Sequence, residues 1–337
     1  MIDLQGVAQR RPSTVGRAAR AGAALALALV ATGASGTPAS PAAPTPRSMA
    51  AAEPASATLR VATIGYRLAL AAADRCPERT MLTGLVLHDR AAYDERMRGE
   101  LGGLGWGFGL RDRVAGSPAD AAGLRPGDEI VALEGQDMRA YRRGLVTGDG
   151  TFARTEAFTA LLAATLQDRP AQLRVLRANH ESDVIVERRP GCAVGFTLVA
   201  GRSLDAWTDG RYLAVTEALA QRADDDALAF AMAHELAHLV LGHTSGPERP
   251  FAAFGFGAGP ARREEADADR LAIGLAHDAG YDPAGSLRLF EVLRRGGMLR
   301  FGLTHPSIRA RIAIVTEEIA RLSAPAPTSE PALPTGL

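Results

Sequence analysis

The sequence predicts an α+β fold, in which a mainly helical domain with a small β-sheet is joined to an inserted β-rich domain. Helical spacing of apolar residues dominates residues 217–322, and short β-like runs separated by glycine-rich turns fill residues 81–190. A separate helical stripe precedes both regions. The chain has 337 residues, 47% of them hydrophobic, which is enough for the core of one large or two modest domains.

The charged residues exclude several classes of function. Because the 38 basic and 38 acidic residues cancel, neither nucleic acid nor an anionic membrane surface is expected as the principal partner. All of the basic residues are Arg. Without Lys, Schiff-base chemistry and the phosphate-binding loop that ends in Gly-Lys-Ser/Thr are excluded.

The first 36 residues have the pattern of an export signal peptide. Basic residues precede an apolar run at 21–31, and small residues follow it: Arg10, Arg11, Arg17 and Arg20, then Ala34, Ser35 and Gly36. The run is too short to span a bilayer, so we expect no stable transmembrane segment in the mature chain. The alternative is a disordered, alanine-rich leader. An export signal predicts a bacterial protein that is periplasmic or otherwise extracytoplasmic.

Residues 37–54 are rich in Pro, Ala and Ser, which is typical of a disordered linker. Residues 55–80 are predicted to form an N-terminal helix that packs on the later helical domain, because Leu59, Ile64 and Leu68 fall on one stripe. Cys76 and Cys192 are the only cysteines, and they lie just outside the two ends of the β-rich segment. In an oxidising compartment they would form a disulfide at the base of the inserted domain. Two separately buried thiols are the alternative.

The β-rich segment, residues 81–190, contains a run that resembles the PDZ domain. The run is Gly116-Ser117-Pro118-Ala119, then Ala122-Gly123-Leu124 and Gly127-Asp128, with a short helix at 119–122 leading into a strand at 129–133. The resemblance implies that a peptide or protein C-terminus binds by adding a strand to the sheet. It also implies a carboxylate-binding loop at Gly105, Trp106, Gly107 and Phe108, although Trp106 departs from the usual loop pattern. The alternative is a glycine-rich turn in a domain that only positions its neighbour.

A candidate metal site begins in the next domain, residues 191–322, where strands at 194–199 and 211–216 precede a helix. Asp224 to Asp226 favour the start of that helix. His234 and His238 are four residues apart, so their rings project from one helix face and can bind a single zinc ion. Glu235 is rotated by about 100° around the helix, which places it beside a water at the metal. Ordinary helix residues are the alternative interpretation of this short motif.

A third candidate ligand strengthens the metal interpretation. Glu265 lies near the start of the next predicted helix, residues 262–279, and would complete a site with three protein ligands and one position open to water. Asp269 lies one turn further on the same face. We expect it to accept a hydrogen bond from a ligand histidine. His243 is expected to lie off the metal face and to be structural.

Together these motifs resemble the HtpX-like and CAAX-prenyl-protease-like zinc metallopeptidases, of the gluzincin type. The resemblance covers residues 192–322 and includes the segments His234 to His238 with Leu239 to His243, Glu265 to Arg270, Ala279 to Pro283, and Thr304 to Ser307. It implies a zincin-type peptidase domain that holds one Zn²⁺ per chain. Glu235 would act as general base in hydrolysing peptide bonds of extended or unfolded polypeptides, with a role in envelope protein quality control.

The resemblance also assigns roles around the site. His305 would approach the metal, where it stabilises an oxyanion or closes the open position as a latch; the alternative is a loop residue at a helix start. Asp205 stands where the family pattern has Asn. Strand 211–216 would be the edge along which the substrate lies. Residues 323–337 are expected to be a disordered tail. A competing function is a PDZ-type peptide-binding adaptor or chaperone with a latched or inactive protease site.

Overall fold

A computed structural model describes residues 56–93, 95, 98, 105–145, 153–243, 258–295 and 307–324. The predicted signal peptide and linker lie outside these residues, as do His305 and nearly all of the predicted tail. Among the described residues, no helix combines the length and the apolar character that crossing a bilayer requires.

The described elements follow the predicted order, in which a first helix precedes a β-rich region and then a mainly helical region. The helices are α1 (Ala57–Ala71), α2 (Pro118–Ala121), α3 (Ala153–Asp168), α4 (Glu217–Arg222), α5 (Asp225–Val240), α6 (Ala258–Asp278), α7 (Gly285–Arg295) and α8 (Ile308–Ser323). The strands are β1 (Arg79–Met81), β2 (Leu85–His88), β3 (Phe108–Arg113), β4 (Glu129–Leu133), β5 (Gln136–Asp137), β6 (Ala171–Arg177), β7 (His180–Val186), β8 (Pro190–Cys192), β9 (Gly195–Val199), β10 (Ala206–Thr208) and β11 (Tyr212–Thr216). The fold is α+β, with a β-rich domain inserted between α1 and the later helices.

The inserted domain is built on one antiparallel sheet with the strand order β2-β3-β4-β6-β7, and β5 pairs with β4. Apolar residues of β3, β4, β6 and α3 form its own core. Within that core the rings of Phe108 and Phe158 stack with centroids 4.2 Å apart. Ser117 begins α2 by accepting a hydrogen bond from the backbone N–H of Asp120. This PDZ-like domain therefore has a hydrophobic core separate from that of the helical domain.

The chain enters and leaves the PDZ-like domain at one place. Strand β1 pairs antiparallel with β8, with Arg79 opposite Cys192 and Met81 opposite Pro190. The N–H of Leu82 extends this ladder to the carbonyl of Arg189 at 2.7 Å. A disulfide joins Cys76 to Cys192, so both crossings are tied to α1 and to each other.

Helix α1 packs on the helical domain, as its apolar stripe predicts. Val61, Ile64 and Leu68 are fully buried in the same core as α5 and α6. Arg60 donates to the carbonyl oxygens of Ala220 and Ala223 at the end of α4. Because the last carbonyls of a helix lack partners within the helix, this arginine side chain caps α4.

The small sheet of the helical domain has the order β10-β11-β9, with β11 parallel to β9 and antiparallel to β10. The expectation that strand 211–216 is an open edge is therefore wrong, because β11 is hydrogen-bonded on both sides. Strand β10 lies at the outside of this sheet and packs against α5. The edge next to the histidine-bearing helix is β10.

Helix α5 runs through the centre of the domain. Asp224 caps its N-terminus by accepting a hydrogen bond from the N–H of Ala227 at 2.8 Å. Every residue from Ala227 to His234 is buried, and the helix packs against α1, α6 and α7. This burial on all sides fixes the position of the side chains that α5 sends toward α6.

Candidate metal site

The three predicted ligands come together between α5 and α6. The Nε2 atoms of His234 and His238 are 3.2 Å apart. Glu265 places Oε2 3.5 Å from Nε2 of His234 and Oε1 3.6 Å from Nε2 of His238. A tetrahedral ion with bonds of about 2.0–2.1 Å separates its ligand atoms by about 3.3 Å. The two imidazole nitrogens and one carboxylate therefore fit a metal ion in both donor type and spacing.

Asp269 lies behind His234, at the end of the ring that faces away from Glu265. Its Oδ1 is 3.0 Å from Nδ1 of His234, and its side chain is fully buried. Burial alone raises the pKa of this carboxyl, but the hydrogen bonds from Arg311 and His234 outweigh it and lower the pKa. The ionised Asp269 thus holds His234 with Nε2 directed at the candidate metal position.

Arg311, on α8, was not identified from the sequence. Its Nε and Nη2 donate to Oδ2 and Oδ1 of Asp269 at 2.8 and 2.6 Å, and Nη2 is 3.2 Å from Nδ1 of His234. The available signal was a charged residue four positions before Val315 on the buried face of the last helix. A buried cation on such a face requires an anionic partner, which here is Asp269.

Glu235 is half-buried on the same helix and is not one of the three converging groups. Burial raises its pKa to about 7, with the His234 charge opposing this effect and the Glu265 and Asp205 charges adding to it. Without a metal ion, burial also lowers the pKa of His238 to about 4. The carboxyl of Glu235 can therefore gain or lose a proton near neutral pH.

His243 lies off the candidate metal position, as expected, but its ring contacts the end of the His238 ring that faces away from Nε2. Its Nδ1 is 3.3 Å from Nδ1 of His238. The reason is the end of α5: Leu241 is the last residue in helical conformation, and Gly242 follows with φ of +69°. The chain turns back there, so positions beyond Leu241 no longer follow the helical spacing.

Asp205 immediately precedes the edge strand β10. Its backbone N–H donates to Oγ1 of Thr216, and that hydroxyl bonds back to the carbonyl of Asp205, both at 3.2 Å. The charge of Asp205 is one of those that raise the pKa of Glu235. Asp205 is therefore held close to helix α5.

The predicted carboxylate-binding loop is contradicted by the structure. The N–H of Gly107 donates to Oε1 of Glu129 at 2.5 Å, so it does not face a ligand. Phe108 and Gly109 belong to β3, which is paired with β2 on one side and β4 on the other. A Cβ at Gly107 would lie 2.4 Å from the carbonyl oxygen of Ile130. The glycine allows close packing of two strands and does not present an amide.

Trp106, which belongs to this predicted loop, lies at the surface with 43% of its area exposed. The guanidinium of Arg90 is 5.5 Å from its ring centre. His305, predicted to approach the metal, lies outside the described residues.

Among the solved structures to which the chain is similar are one PDZ domain and two structures of an HtrA-type protease. The PDZ domain of HtrA3 bound to a phage-derived ligand is 17% identical, with a TM-score of 0.25, and the match covers 34% of this chain and 89% of that one. The HtrA-type protease AlgW with a decapeptide is 20% identical, with a TM-score of 0.24, over 33% of this chain and 29% of that one. Its S227A variant gives the same identity and score over 37% and 34%. The match therefore spans about a third of the AlgW chain.

The helical domain gives a different result. No curated protein matches the chain significantly. Residues 187–246 and 251–319 match peptidase family M48. These residues include His234, His238, Glu265, Asp269 and Arg311. Over these residues the helical domain is therefore similar to peptidase family M48.

Proposed function

We propose that the protein is a zinc-dependent endopeptidase, which holds one Zn²⁺ per chain and hydrolyses peptide bonds in extended or unfolded polypeptides. The observation that carries the proposal is the convergence of His234, His238 and Glu265 on one point. Bound there, zinc would supply Lewis acidity toward a water molecule and a peptide carbonyl. The donor set of two imidazoles and one carboxylate is that of catalytic zinc sites with an open position.

Glu235 is the general base of this proposal. It follows His234 directly on α5, and burial raises its pKa to about 7. A carboxylate with such a pKa takes a proton from the attacking water and returns it to the leaving amine near neutral pH. His234 is kept in place during this transfer by the Asp269 and Arg311 pair.

Strand β10 is the proposed guide for the substrate backbone. It lies at the outside of the β10-β11-β9 sheet and packs against α5. An extended peptide pairs with such an edge through backbone hydrogen bonds and needs no particular side chain for them. Pairing along β10 therefore favours substrate segments that are already unfolded. Trp207, with 37% of its area exposed in the middle of β10, would contact the bound chain.

The test compares the full chain with its Glu235→Gln variant on a permanently unfolded, fluorescently labelled protein. Asp267→Asn is the matched control, because Asp267 lies on the exposed face of α6 and pairs only with Arg270 among the partners described. We expect cleavage by the wild type and the control, loss of at least about 100-fold in Glu235→Gln, and full inhibition by a zinc chelator. Equal cleavage by Glu235→Gln and wild type contradicts the proposal.

A second candidate function is peptide binding by the PDZ-like domain, with the whole protein as an adaptor or chaperone. Strand β2, rather than the segment 105–109, is the candidate site, because β2 lies at one end of the described sheet order. The loop before it contains Gly84, with φ of +73°. We expect a pool of peptides with free carboxyl ends to bind in calorimetry and the amidated pool to bind more weakly. Suppression of aggregation without any cleavage by the wild type would favour this function over the peptidase.

We also propose an extracytoplasmic location, with envelope protein quality control as the role. The Cys76–Cys192 disulfide supports it, since such bonds persist in oxidising compartments. Thiol alkylation of fractionated cells tests it. The protein should remain in the extracytoplasmic fraction and resist alkylation until it is reduced; a reduced, cytoplasmic protein contradicts the proposal.

A further inference from the structure

The two nitrogens of the His238 ring face different neighbours. Nε2 lies 3.2 Å from Nε2 of His234 and 3.6 Å from Oε1 of Glu265, on the side of the candidate metal position. Nδ1, at the other end of the ring, lies 3.3 Å from Nδ1 of His243. The rings of His238 and His243 meet at 62°, with centroids 5.4 Å apart.

The end of α5 holds His243 in this position. The N–H of Gly242 donates to the carbonyl of Leu239 at 3.2 Å, and the N–H of His243 donates to the carbonyl of His238 at 2.9 Å. Gly242 adopts φ of +69°, a conformation that costs other residues about 1 kcal/mol or more. His243 is therefore tied by its backbone to the same residue that its ring contacts.

If His238 binds a metal through Nε2, it is the donor in its contact with His243. A neutral imidazole that binds a metal through Nε2 carries its proton on Nδ1, and that N–H needs an acceptor. For His234 the acceptor is the Asp269 carboxylate, at 3.0 Å. For His238 the atom within reach is Nδ1 of His243, which accepts when His243 carries its own proton on Nε2.

We propose that His243 is the positioning residue of His238: its Nδ1 accepts the Nδ1–H of His238 and so keeps Nε2 directed at the metal. His243 is not a fourth ligand, because it lies at the far end of the His238 ring from Nε2. The two candidate ligand histidines thus have different hydrogen-bond acceptors: a carboxylate for His234 and an imidazole for His238. The inference rests on the proposed function only in requiring that zinc binds at this site.

The test measures zinc affinity of the full chain by competition with a chromogenic chelator. His243→Asn keeps an acceptor near the position of Nδ1, whereas His243→Leu removes it at similar volume. His277→Leu is the matched control, since His277 is exposed at the end of α6 and contacts Asp278 instead of the site. We expect the dissociation constant to rise about 10- to 100-fold in His243→Leu and to change by less than about threefold in His243→Asn and His277→Leu.

Urea unfolding of the metal-free variants separates positioning from a loss of fold, because a positioning role leaves their free energies of unfolding similar. The inference is overturned if His243→Leu binds zinc with the wild-type affinity. It is also overturned if His243→Leu and His243→Asn weaken zinc binding equally. A wild-type chain that binds no zinc overturns both this inference and the proposed function. A chain that binds zinc in the expected order but cleaves nothing overturns only the peptidase proposal.

Discussion

Arg311 and Asp269 form a two-point ion pair behind His234, with oxygen–nitrogen distances of 2.6 and 2.8 Å. Asp269 is fully buried and Arg311 is 6% exposed. The pair joins α8, the last described helix, to the helix that carries Glu265. The stability of the fold and the orientation of a ligand histidine therefore depend on the same contact.

Arg311→Met should destabilise the protein strongly. The substitution leaves the Asp269 carboxylate buried without its cationic partner, and removing one member of a buried pair costs about 3–5 kcal/mol. The control is Arg270→Met, which removes a surface pair with Asp267 and should cost less than about 1 kcal/mol. The measurement is the free energy of unfolding in urea. A similar loss of unfolding free energy in the two variants would show that the buried Arg311 pair stabilises the fold no more than the surface pair does.

Glu265→Gln should remove most of the bound zinc. A neutral amide is a much poorer ligand than a carboxylate, and only two histidines then remain at the site. Metal content after dialysis, measured by elemental analysis, should fall from about one zinc per chain to near zero. Asp267→Asn, on the same helix but exposed, should keep the full content. Retention of zinc by Glu265→Gln would rule out Glu265 as a ligand.

Glu235→Gln should stabilise the metal-free protein at alkaline pH. Burial raises the pKa of Glu235 from 4.5 to about 7. A carboxyl whose pKa is raised on folding contributes stability below pH 4.5 and loses it as the pH rises through about 7. Because Gln cannot ionise, the variant should exceed the wild type by on the order of 2–3 kcal/mol at pH 8. The two should be equal near pH 4. Urea unfolding at both pH values checks this, and no difference at pH 8 contradicts it.

Loss of the disulfide should lower stability without removing the metal site. Cys76 and Cys192 are separated by 116 positions, and a cross-link over such a loop stabilises by about 2–5 kcal/mol. Replacing both residues with Ala should lower the free energy of unfolding by that amount, as should reduction of the wild type. Zinc content should stay unchanged, since the candidate ligands lie on α5 and α6. Loss of zinc in the variant would mean that the disulfide also shapes the site.

The sequence predicts those features that depend on local spacing. His234, Glu235 and His238 lie on one helix, so their relative directions follow from helical geometry alone. Strand β4 has the predicted bounds, Glu129–Leu133, because a turn with Gly127 marks its start. Asp224 caps α5 as its carboxylate position indicates.

The features that sequence reasoning missed depend on contacts between distant segments. Arg311 reaches Asp269 across 42 positions, and no local pattern pairs them. The middle position of β11 follows from strand order, which periodicity does not determine. The glycine-rich run at 105–109 is compatible with a loop or with a tightly packed strand, and only the neighbouring Glu129 and Ile130 decide between these.

The pairing of β1 with β8 holds the two ends of the PDZ-like domain side by side. Met81 and Pro190 face each other across a two-stranded ladder, so a short hairpin turn could replace residues 82–189 and leave the ends in place. The M48 match begins at residue 187, and α1 and β1 are the elements of the helical domain that lie before the insertion among the described residues. During synthesis, the ribosome delivers α1 long before α5, its packing partner. The core of the helical domain can therefore form only after the whole inserted domain has been synthesised.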